Sequence, residues 1–495
     1  MPIMDEPTSL DPQIADSNSE KLVAANCYEG LVRIMADGTI GKGVATDWNI
    51  SDDGLTYTFK LRNNSHWAMF SGHKAVLGEN YEDTFDITVK AEDFKFGIER
   101  TLSEQTGSAD APLFSAVKSI STPDDFTIVF NLSYADDNFL YALTNPGAMP
   151  CDEEFFNLTN GKYGLDAKYL LCNGPFHVSK WTEKTSVKLV KNNEYNGESS
   201  VSPSSVTFYI NNNDSEVADK MNSVTYDVAF LSSSQFSSIE NKKDLNSVAV
   251  QNVTYSFIFN QNDNNYRNKN MRLAFCRSCD TSSLFDSQND ISKADGIVPP
   301  SCKIGGEDYR NGNAAELLSY DETLAKKNFN DALLELGSSS VETTILCTEQ
   351  YEPFVKQMVQ KLQKTLGVKF VSTVKVVSES DLEAAVNDGN YSVAFYPFKA
   401  KSSFAGEIIE GFDQNNIFGY ESDVLSQKIR NIKNNSGSLE GERSAVADAE
   451  NYLVSEAVIM PVFYENSYFV TSKKTSGIYF YSSADNVCFI NAKKS

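Results

Sequence analysis

Residues 5–67 read DEPTSLDPQIADSNSEKLVAANCYEGLVRIMADGTIGKGVATDWNISDDGLTYTFKLRNNSHW and hold three physical units in a fixed order. Pro7 and Pro12 bracket Ser9-Leu10-Asp11, where the Ser9 and Asp11 side chains can bond nearby backbone N–H groups and hold a turn. A helix is predicted from Ser19 to Tyr28, stopped at Gly30. Asp52-Asp53-Gly54 then makes a tight turn before Tyr57-Thr58-Phe59-Lys60-Leu61-Arg62, whose period of two marks a strand with one buried face. Each unit alone is an ordinary turn, helix or hairpin. Their succession is what discriminates.

Composition sets the outer limits. A chain of 495 residues with 41% hydrophobic content has room for about three domains and more than one core. No apolar run approaches the roughly 18 residues needed to span a bilayer, and Met1-Pro2 leads to Asp5-Glu6 instead of a basic and then apolar export signal. The formal charge of −24 opposes binding to nucleic acid, which needs clustered Lys and Arg, and fits a solvated acidic surface.

The reactive side chains are sparse. Cys27, Cys151, Cys172, Cys276, Cys279, Cys302, Cys347 and Cys488 are too spread out for a disulfide scaffold; bridges are permitted outside the cytosol, but spacing does not choose among the pairings. Cys276-Arg277-Ser278-Cys279 has no second CxxC or nearby His to complete a tetrahedral metal set, so buried thiols are expected. His66 and His73 lack neighbouring Cys or Asp ligands, and no His, including His177, accompanies a GxSxG or HExxH motif. No catalytic residue, metal or cofactor is therefore assigned, and the protein is read as a non-enzyme.

Further along, Phe94, Ile98 and Leu102 recur at helical spacing in a helix beginning near Lys90, with Asp93 and Arg100 placed as the helix dipole prefers. Residues 119–132 read as a hairpin turning at Pro123-Asp124-Asp125. Asn173-Gly174-Pro175-Phe176 with Trp181 opens a strand pair running through Val187–Val190 to Tyr195. Val253–Asn260, VTYSFIFN, is a nearly continuous apolar strand. Helices are predicted from Arg267 through Ala274, over Leu324–Gly337 and over Pro353–Gly367, the last leading into a strand at Val368–Val371. Strand alternating with helix marks an α/β fold.

In this order the elements resemble extracellular solute-binding protein family 5, the dipeptide- and oligopeptide-binding components of ABC importers. The likeness rests on the opening segment, on Lys90-Ala91-Glu92-Asp93-Phe94 ending in Arg100 after Trp67, and on Asn173-Gly174-Pro175-Phe176 with Trp181 and Tyr195. It also rests on Gly296-Ile297-Val298-Pro299-Pro300 and the closing run from Ala449 to Tyr464. The insert Ala68–Thr88 is longer than usual, and Asn265-Tyr266-Arg267-Asn268 replaces a customary Pro-Phe-x-Asp.

The resemblance implies an α/β, two-lobed periplasmic-binding-protein-like fold (type II, cluster C) with an extra subdomain inserted in the first lobe. Lobe I would comprise 1–253, with the subdomain about 46–170, and lobe II 254–460, with 461–495 returning to lobe I. A peptide would be captured in an interlobe cleft through its backbone, between tolerant aromatic walls, and delivered to an ABC transporter permease in the membrane. The cleft-lining residues implied are Glu6, Thr8, Phe230, Ser232, Ser233, Tyr255, Phe257, Phe395, Tyr396, Phe398, Lys399 and Tyr464. Many relatives place an Asp for the ligand's α-ammonium just after the strand matching Tyr391–Ala394; here no acid precedes Glu407, and Lys399 and Lys401 stand there instead. A monomer is expected, at the extracellular face by a lipid anchor or in the periplasm, with the present start resembling a trimmed mature form bearing an added Met. The rival readings are the same fold binding an oligosaccharide, metal chelate or other non-peptide solute, and a peptide-sensing receptor without transport.

Overall fold

The opening segment folds around one carboxylate, that of Glu20. Ser17 caps the helix Asn18–Cys27, and Glu20 returns the bond in a capping box, its Oε2 accepting from Ser17 N at 3.1 Å and Asp16 N at 3.0 Å. Glu20 Oε1 accepts from Thr8 N at 2.7 Å, Thr8 Oγ1 at 2.8 Å and Ser9 N at 3.3 Å. Burial alone would raise the Glu20 pKa; the bonds from Thr8, Asp16 and Ser17 outweigh it and hold the carboxyl below its ordinary value.

This computed structural model describes residues 1–35, 39–136, 138–197, 200–281, 291–399, 404–413, 416–435, 438–481 and 486–495. They divide into one unit of Met1–Ala249 with Tyr468–Ser495 and a second of Val250–Ser467. The boundaries fall within two long strands, Leu245–Phe259 and Ile459–Ser472.

In the first unit Ser9 Oγ accepts from Asp11 N, and Asp11 caps the short 3-10 turn Pro12–Ile14 through Gln13 N. The helix Ala91–Leu102 buries Phe94 and Ile98 completely. Arg100 stands in the last turn of this helix, as the dipole prefers, and its side chain turns inward. Its Nη2 and Nη1 meet Asp11 Oδ2 at 2.6 Å and Oδ1 at 3.2 Å, while Nη1 also donates to Gln13 Oε1 at 2.7 Å and the guanidinium lies 4.1 Å from the Phe156 ring centroid.

The antiparallel sheet Ala45–Ile50, Thr56–Leu61, Thr127–Leu132 and Val117–Asp124 buries Tyr57, Phe59 and Leu61 on alternate positions, after a turn in which Gly54 takes φ +68°. Asp124 pairs with Thr127, so the second hairpin turns at Asp125-Phe126, and Pro123 lies in the strand at a register shift. A second sheet runs Pro2–Ile3, Ser205–Ile210, Ser186–Lys191, Phe176–Thr182. Gly174 before it donates to Cys27 O at 2.9 Å, so close that a Cβ would stand 2.7 Å from Cys27 and Tyr28 backbone atoms.

In the second unit the strands run Ile459–Ser472, Leu245–Phe259, Val393–Lys399, Val341–Thr348, Phe370–Val377. The helix Glu352–Leu366 connects the parallel strands Val341–Thr348 and Phe370–Val377, burying Val355, Met358, Val359 and Leu362. Val368, expected in the following strand, is 95% exposed; the strand begins at Phe370 because Gly367, at φ +78°, ends the helix and Val368-Lys369 form the turn.

Glu450, from the helix Leu439–Ser455, is buried and accepts from Ile297 N at 2.6 Å, Val298 N at 2.9 Å, Tyr309 Oη at 3.0 Å and Arg310 Nη1 at 2.9 Å, with Arg310 Nη2 closing a bidentate pair. Arg310 Nε donates in turn to Val298 O at 2.7 Å. Removing one partner of such a pair leaves a buried charge uncompensated and costs about 3–5 kcal/mol. Glu450→Ala is therefore expected to lower the urea midpoint by circular dichroism, with hydrogen exchange quickening within Val250–Ser467. Unchanged exchange there would show that the clamp carries no stability.

His73 is fully buried, its ring centroid 4.3 Å from that of Phe70 and 5.5 Å from that of Phe155, with Nε2 3.1 Å from Leu170 O. Burial pushes its pKa from 6.5 down to about 4; the Leu170 carbonyl opposes the shift and His177 adds to it. Between those values the unfolded chain binds a proton that the native one does not, so stability is full above 6.5 and falls as pH drops through the window, by about 3 kcal/mol in all. His73→Gln should flatten the urea midpoint between pH 6.5 and 4; an unaltered slope would assign the acid sensitivity elsewhere.

Candidate functional site

The strand Val393–Lys399 pairs antiparallel with Leu245–Phe259 along its whole length, setting Phe257 opposite Phe395, Ser256 opposite Tyr396, Tyr255 opposite Pro397, Thr254 opposite Phe398 and Val253 opposite Lys399. Among the described residues its ladder to Val341–Thr348 covers only Val393 and Ala394. From Phe395 to Phe398 the strand is thus laddered on one side.

Alternation divides the assigned aromatics between the two faces. On one, the Phe395 centroid lies 5.5 Å from Tyr255 and 5.0 Å from Phe257, within a cluster that also holds Tyr351, Phe354 and Phe463. Phe257 and Phe395 are fully covered there and act as core, while Tyr255 is half-buried. The Tyr351 hydroxyl donates to Glu465 at the edge of this cluster.

On the other face, Phe398 packs 5.8 Å from both Phe412 and Phe418 and 5.7 Å from Tyr396. Tyr396 and Phe398 are half-buried, and Lys399 is exposed at the strand end. Beneath them Thr254 Oγ1 and Ser256 Oγ are buried without a hydrogen-bond partner among the described residues. Lys401 lies outside the described residues. Tyr464 is buried and belongs to the Glu450-clamped turn: its hydroxyl accepts from Asp295 N at 3.1 Å and lies 3.4 Å from the carbonyls of Gly296 and Val298.

The residues assigned in the first unit have internal work. Glu6 Oε1 accepts from Trp181 Nε1 at 2.8 Å and Oε2 from Lys184 N at 2.6 Å, which fastens the opening segment to the hairpin after Phe176. Thr8 is held by Glu20. Phe230 packs 5.3 Å from Phe469 and 4.8 Å from Phe480. Ser232 caps the helix Ser233–Ser238 in a capping box with Gln235, and Ser233 is buried at its first position.

Among the described residues, each unit holds a cavity. One of about 350 Å³ in the first unit is lined by residues including Glu29, Arg33, Met149 and Tyr195; one of about 240 Å³ in the second by residues including Cys276, Cys279, Lys293 and Met460. None of the twelve sequence-assigned residues lines either. Among the described residues, no group of three or more His, Cys, Asp and Glu could hold a metal ion. All eight cysteines are free thiols.

Sequence reasoning did not single out Thr254, Ser256, Tyr351 or Glu465, which adjoin the assigned aromatics. The first two carried a signal, since they alternate with Tyr255 and Phe257 in VTYSFIFN and so must face the other side of the strand.

Among the described residues no helix is long and apolar enough to cross a membrane. The dipeptide-binding protein DppE of Bacillus subtilis (strain 168) is 24% identical over 496 residues, which take in 96% of this chain and 88% of that protein. Among solved structures, a dipeptide-binding protein of Pseudoalteromonas sp. SM9913 in complex with Met-Leu superposes with a TM-score of 0.79 at 18% identity, covering 100% of this chain and 99% of its own. Listeria monocytogenes OppA bound to peptide gives a TM-score of 0.77 at 21% identity, covering 100% and 98%. The fold is thus the two-lobed α/β fold of such binding proteins. With residues 39–418 matching the description "Bacterial extracellular solute-binding proteins, family 5 Middle", this chain belongs to family 5 of the bacterial extracellular solute-binding proteins.

Proposed function

We propose that the protein captures peptides and delivers them to the membrane permease of an ABC importer. The observation that carries this reading is the one-sided ladder at Phe395–Phe398. An extended peptide satisfies its own backbone groups by adding to such a strand, and alternate side chains then fall on either face. Tyr396 and Phe398, half-buried beside that edge, supply apolar contact with little demand on ligand identity. Family membership, and the dipeptide-binding name of a relative matched over 96% of this chain, support a peptide as the solute.

The remaining assignments belong to the same proposal: Tyr255 and Lys399 in the second unit, and Glu6, Thr8, Phe230, Ser232 and Ser233 in the first. Phe257, Phe395 and Tyr464 enter it as supports of the strands, since their side chains are covered. The protein is proposed to work as a monomer at the extracellular face or in the periplasm, without a cofactor and without chemical turnover of its ligand.

Mass spectrometry of solutes released by denaturing the purified protein is expected to find peptides; oligosaccharide or metal chelate in their place would overturn the peptide reading. Phe398→Ala removes apolar area worth about 1.5–3 kcal/mol if a ligand covers it fully, so calorimetry with a peptide so identified should show roughly ten- to hundredfold weaker binding with folding retained. Wild-type affinity would take this strand out of the site.

Lys399 follows the edge where many relatives place an acid. A cation within about 4–6 Å disfavours another cation and favours an anion. Free and N-acetylated forms of one peptide should therefore bind within tenfold of each other, or the acetylated form more tightly. A free form at least ten times tighter, about 1.4 kcal/mol, would show that a carboxylate captures the amino terminus.

A further inference from the structure

Asparagine is among the chemically labile side chains, and Asn-Gly occurs at Asn160, Asn173, Asn196 and Asn311. Glycine has no side chain to shield its nitrogen, so at such a step the main-chain N–H can reach the preceding side-chain amide. Whether it does depends on what else holds the two groups. Asn173 is buried, with Oδ1 accepting from Glu29 N, Nδ2 donating to Glu29 O and Gly174 N donating to Cys27 O. Asn196 donates through Nδ2 to Asn64 O and accepts at Oδ1 from Arg62 Nε. Asn160 donates through Nδ2 to Leu158 O at 3.0 Å.

Asn311 has no such restraint. It and Gly312 are exposed, the central residues of a turn closed by Asn313 N donating to Arg310 O at 3.3 Å. Among the described residues, neither the Asn311 side-chain amide nor Gly312 N makes a hydrogen bond. Gly312 takes φ +83°, and nothing lies within 4 Å of where a Cβ on it would stand, so the approach to its nitrogen is open. We propose that Asn311 deamidates in the folded protein ahead of the other three, and that its isoaspartyl product loosens the Glu450 clamp next to it.

In the first step solvent base takes the proton of Gly312 N, and that nitrogen attacks Asn311 Cγ. The Cγ–Nδ2 bond breaks, Nδ2 takes a proton from solvent and leaves as ammonia, and a cyclic imide remains. Water then opens the imide at either carbonyl. Breaking the bond from nitrogen to Cγ leaves aspartate; breaking the bond from nitrogen to the main-chain carbonyl carbon leaves isoaspartate, in which the chain runs through Cβ and Cγ. One amide and one water become one carboxylate and one ammonium ion, with no oxidant or reductant.

The consequence follows from how the ends of this turn are held. Arg310 is bonded to Glu450 and to Val298 O, and Arg443 Nη1 donates to Asp308 O and Tyr309 O, each at 3.1 Å. Asn313 Nδ2 donates to Tyr309 O at 2.9 Å from the other side. Isoaspartate lengthens the main chain by one carbon between these fixed ends, and it sets a new carboxylate one residue from Arg310. Strain and competing charge then fall on the guanidinium that keeps the Glu450 charge compensated.

Cleavage after lysine puts the Asn-Gly steps on separate peptides, that of Asn311 being Ile304–Lys326. The full chain would be incubated in mildly alkaline buffer, folded and in parallel unfolded in urea, then digested briefly. Mass spectrometry reads the replacement of amide by acid, and chromatography separates the aspartyl and isoaspartyl peptides. In the folded chain the Asn311 step should keep most of its unfolded rate while the steps at Asn160, Asn173 and Asn196 slow. Slowing at Asn311 equal to that at Asn173, or faster conversion at Asn160 or Asn196 in the folded chain, would overturn the assignment. The aged chain should also unfold at lower urea in step with its isoaspartate content, and Asn311→Gln aged alongside it should keep its midpoint. An unshifted midpoint in a chain that carries isoaspartate at this position would overturn the link to the clamp.

Discussion

Glu450 meets Arg310 with its own side chain 1% exposed and that of Arg310 only 9%, and on its own such burial would be a liability. Taking two charges out of solvent costs several kcal/mol each, and mutual attraction repays it only when the remaining hydrogen-bonding capacity is filled as well. Here the filling comes from Ile297 N, Val298 N and Tyr309 Oη on the carboxylate and from Val298 O on the guanidinium. All of those partners except Tyr309 Oη are backbone groups of Gly296–Pro300, so the ion pair holds the turn in one conformation. Gly296 is part of the same constraint, because a Cβ there would strike both Arg310 and Glu450. Tyr464, bonded to Asp295 N, then ties the turn to the returning strand Ile459–Ser472.

The first unit uses the same device with different atoms. Glu20 gathers Thr8, Ser9, Asp16 and Ser17, and Asp11 takes Arg100 bidentate, so a stretch with little regular structure is fixed by two carboxylates. Glu6 finishes the work at Trp181 and Lys184. This is why the opening segment carries Asp, Glu, Ser and Thr where a loop of arbitrary sequence would serve as well in space. Buried carboxylates are stable only when surrounded by donors, and each of these has been given them.

What could be read in advance was local. Pro353 and Gly367 punctuate Glu352–Leu366 because proline suits a first turn and glycine a helix end. Phe94 and Ile98 recur at the helical period, and Asp52-Asp53-Gly54 supplies the residue that takes a positive φ. What could not be read was distant. Arg100 finds Asp11 across 89 residues, and Arg310 finds Glu450 across 140, with no periodicity linking them. Pattern misleads in Val253–Phe259 for a different reason. Aromatic residue type alone sets Tyr255 and Phe257 beside Phe398 as candidates, although the Thr254 and Ser256 that alternate with them put them on the opposite face of the sheet from Phe398.

Pro397 bears on how far the one-sided strand can go. A proline cannot donate to a ladder and is found on edge strands or where pairing is interrupted. At this place it is compatible with pairing to Leu245–Phe259 and with the ladder to Val341–Thr348 stopping after Ala394. It leaves the strand one backbone donor short. An open edge with its full set of N–H groups invites pairing with any extended chain, including another copy of itself. Tyr396 and Phe398 flank the proline on either side in sequence, so the strand that loses a hydrogen bond at Pro397 gains apolar surface at the positions next to it.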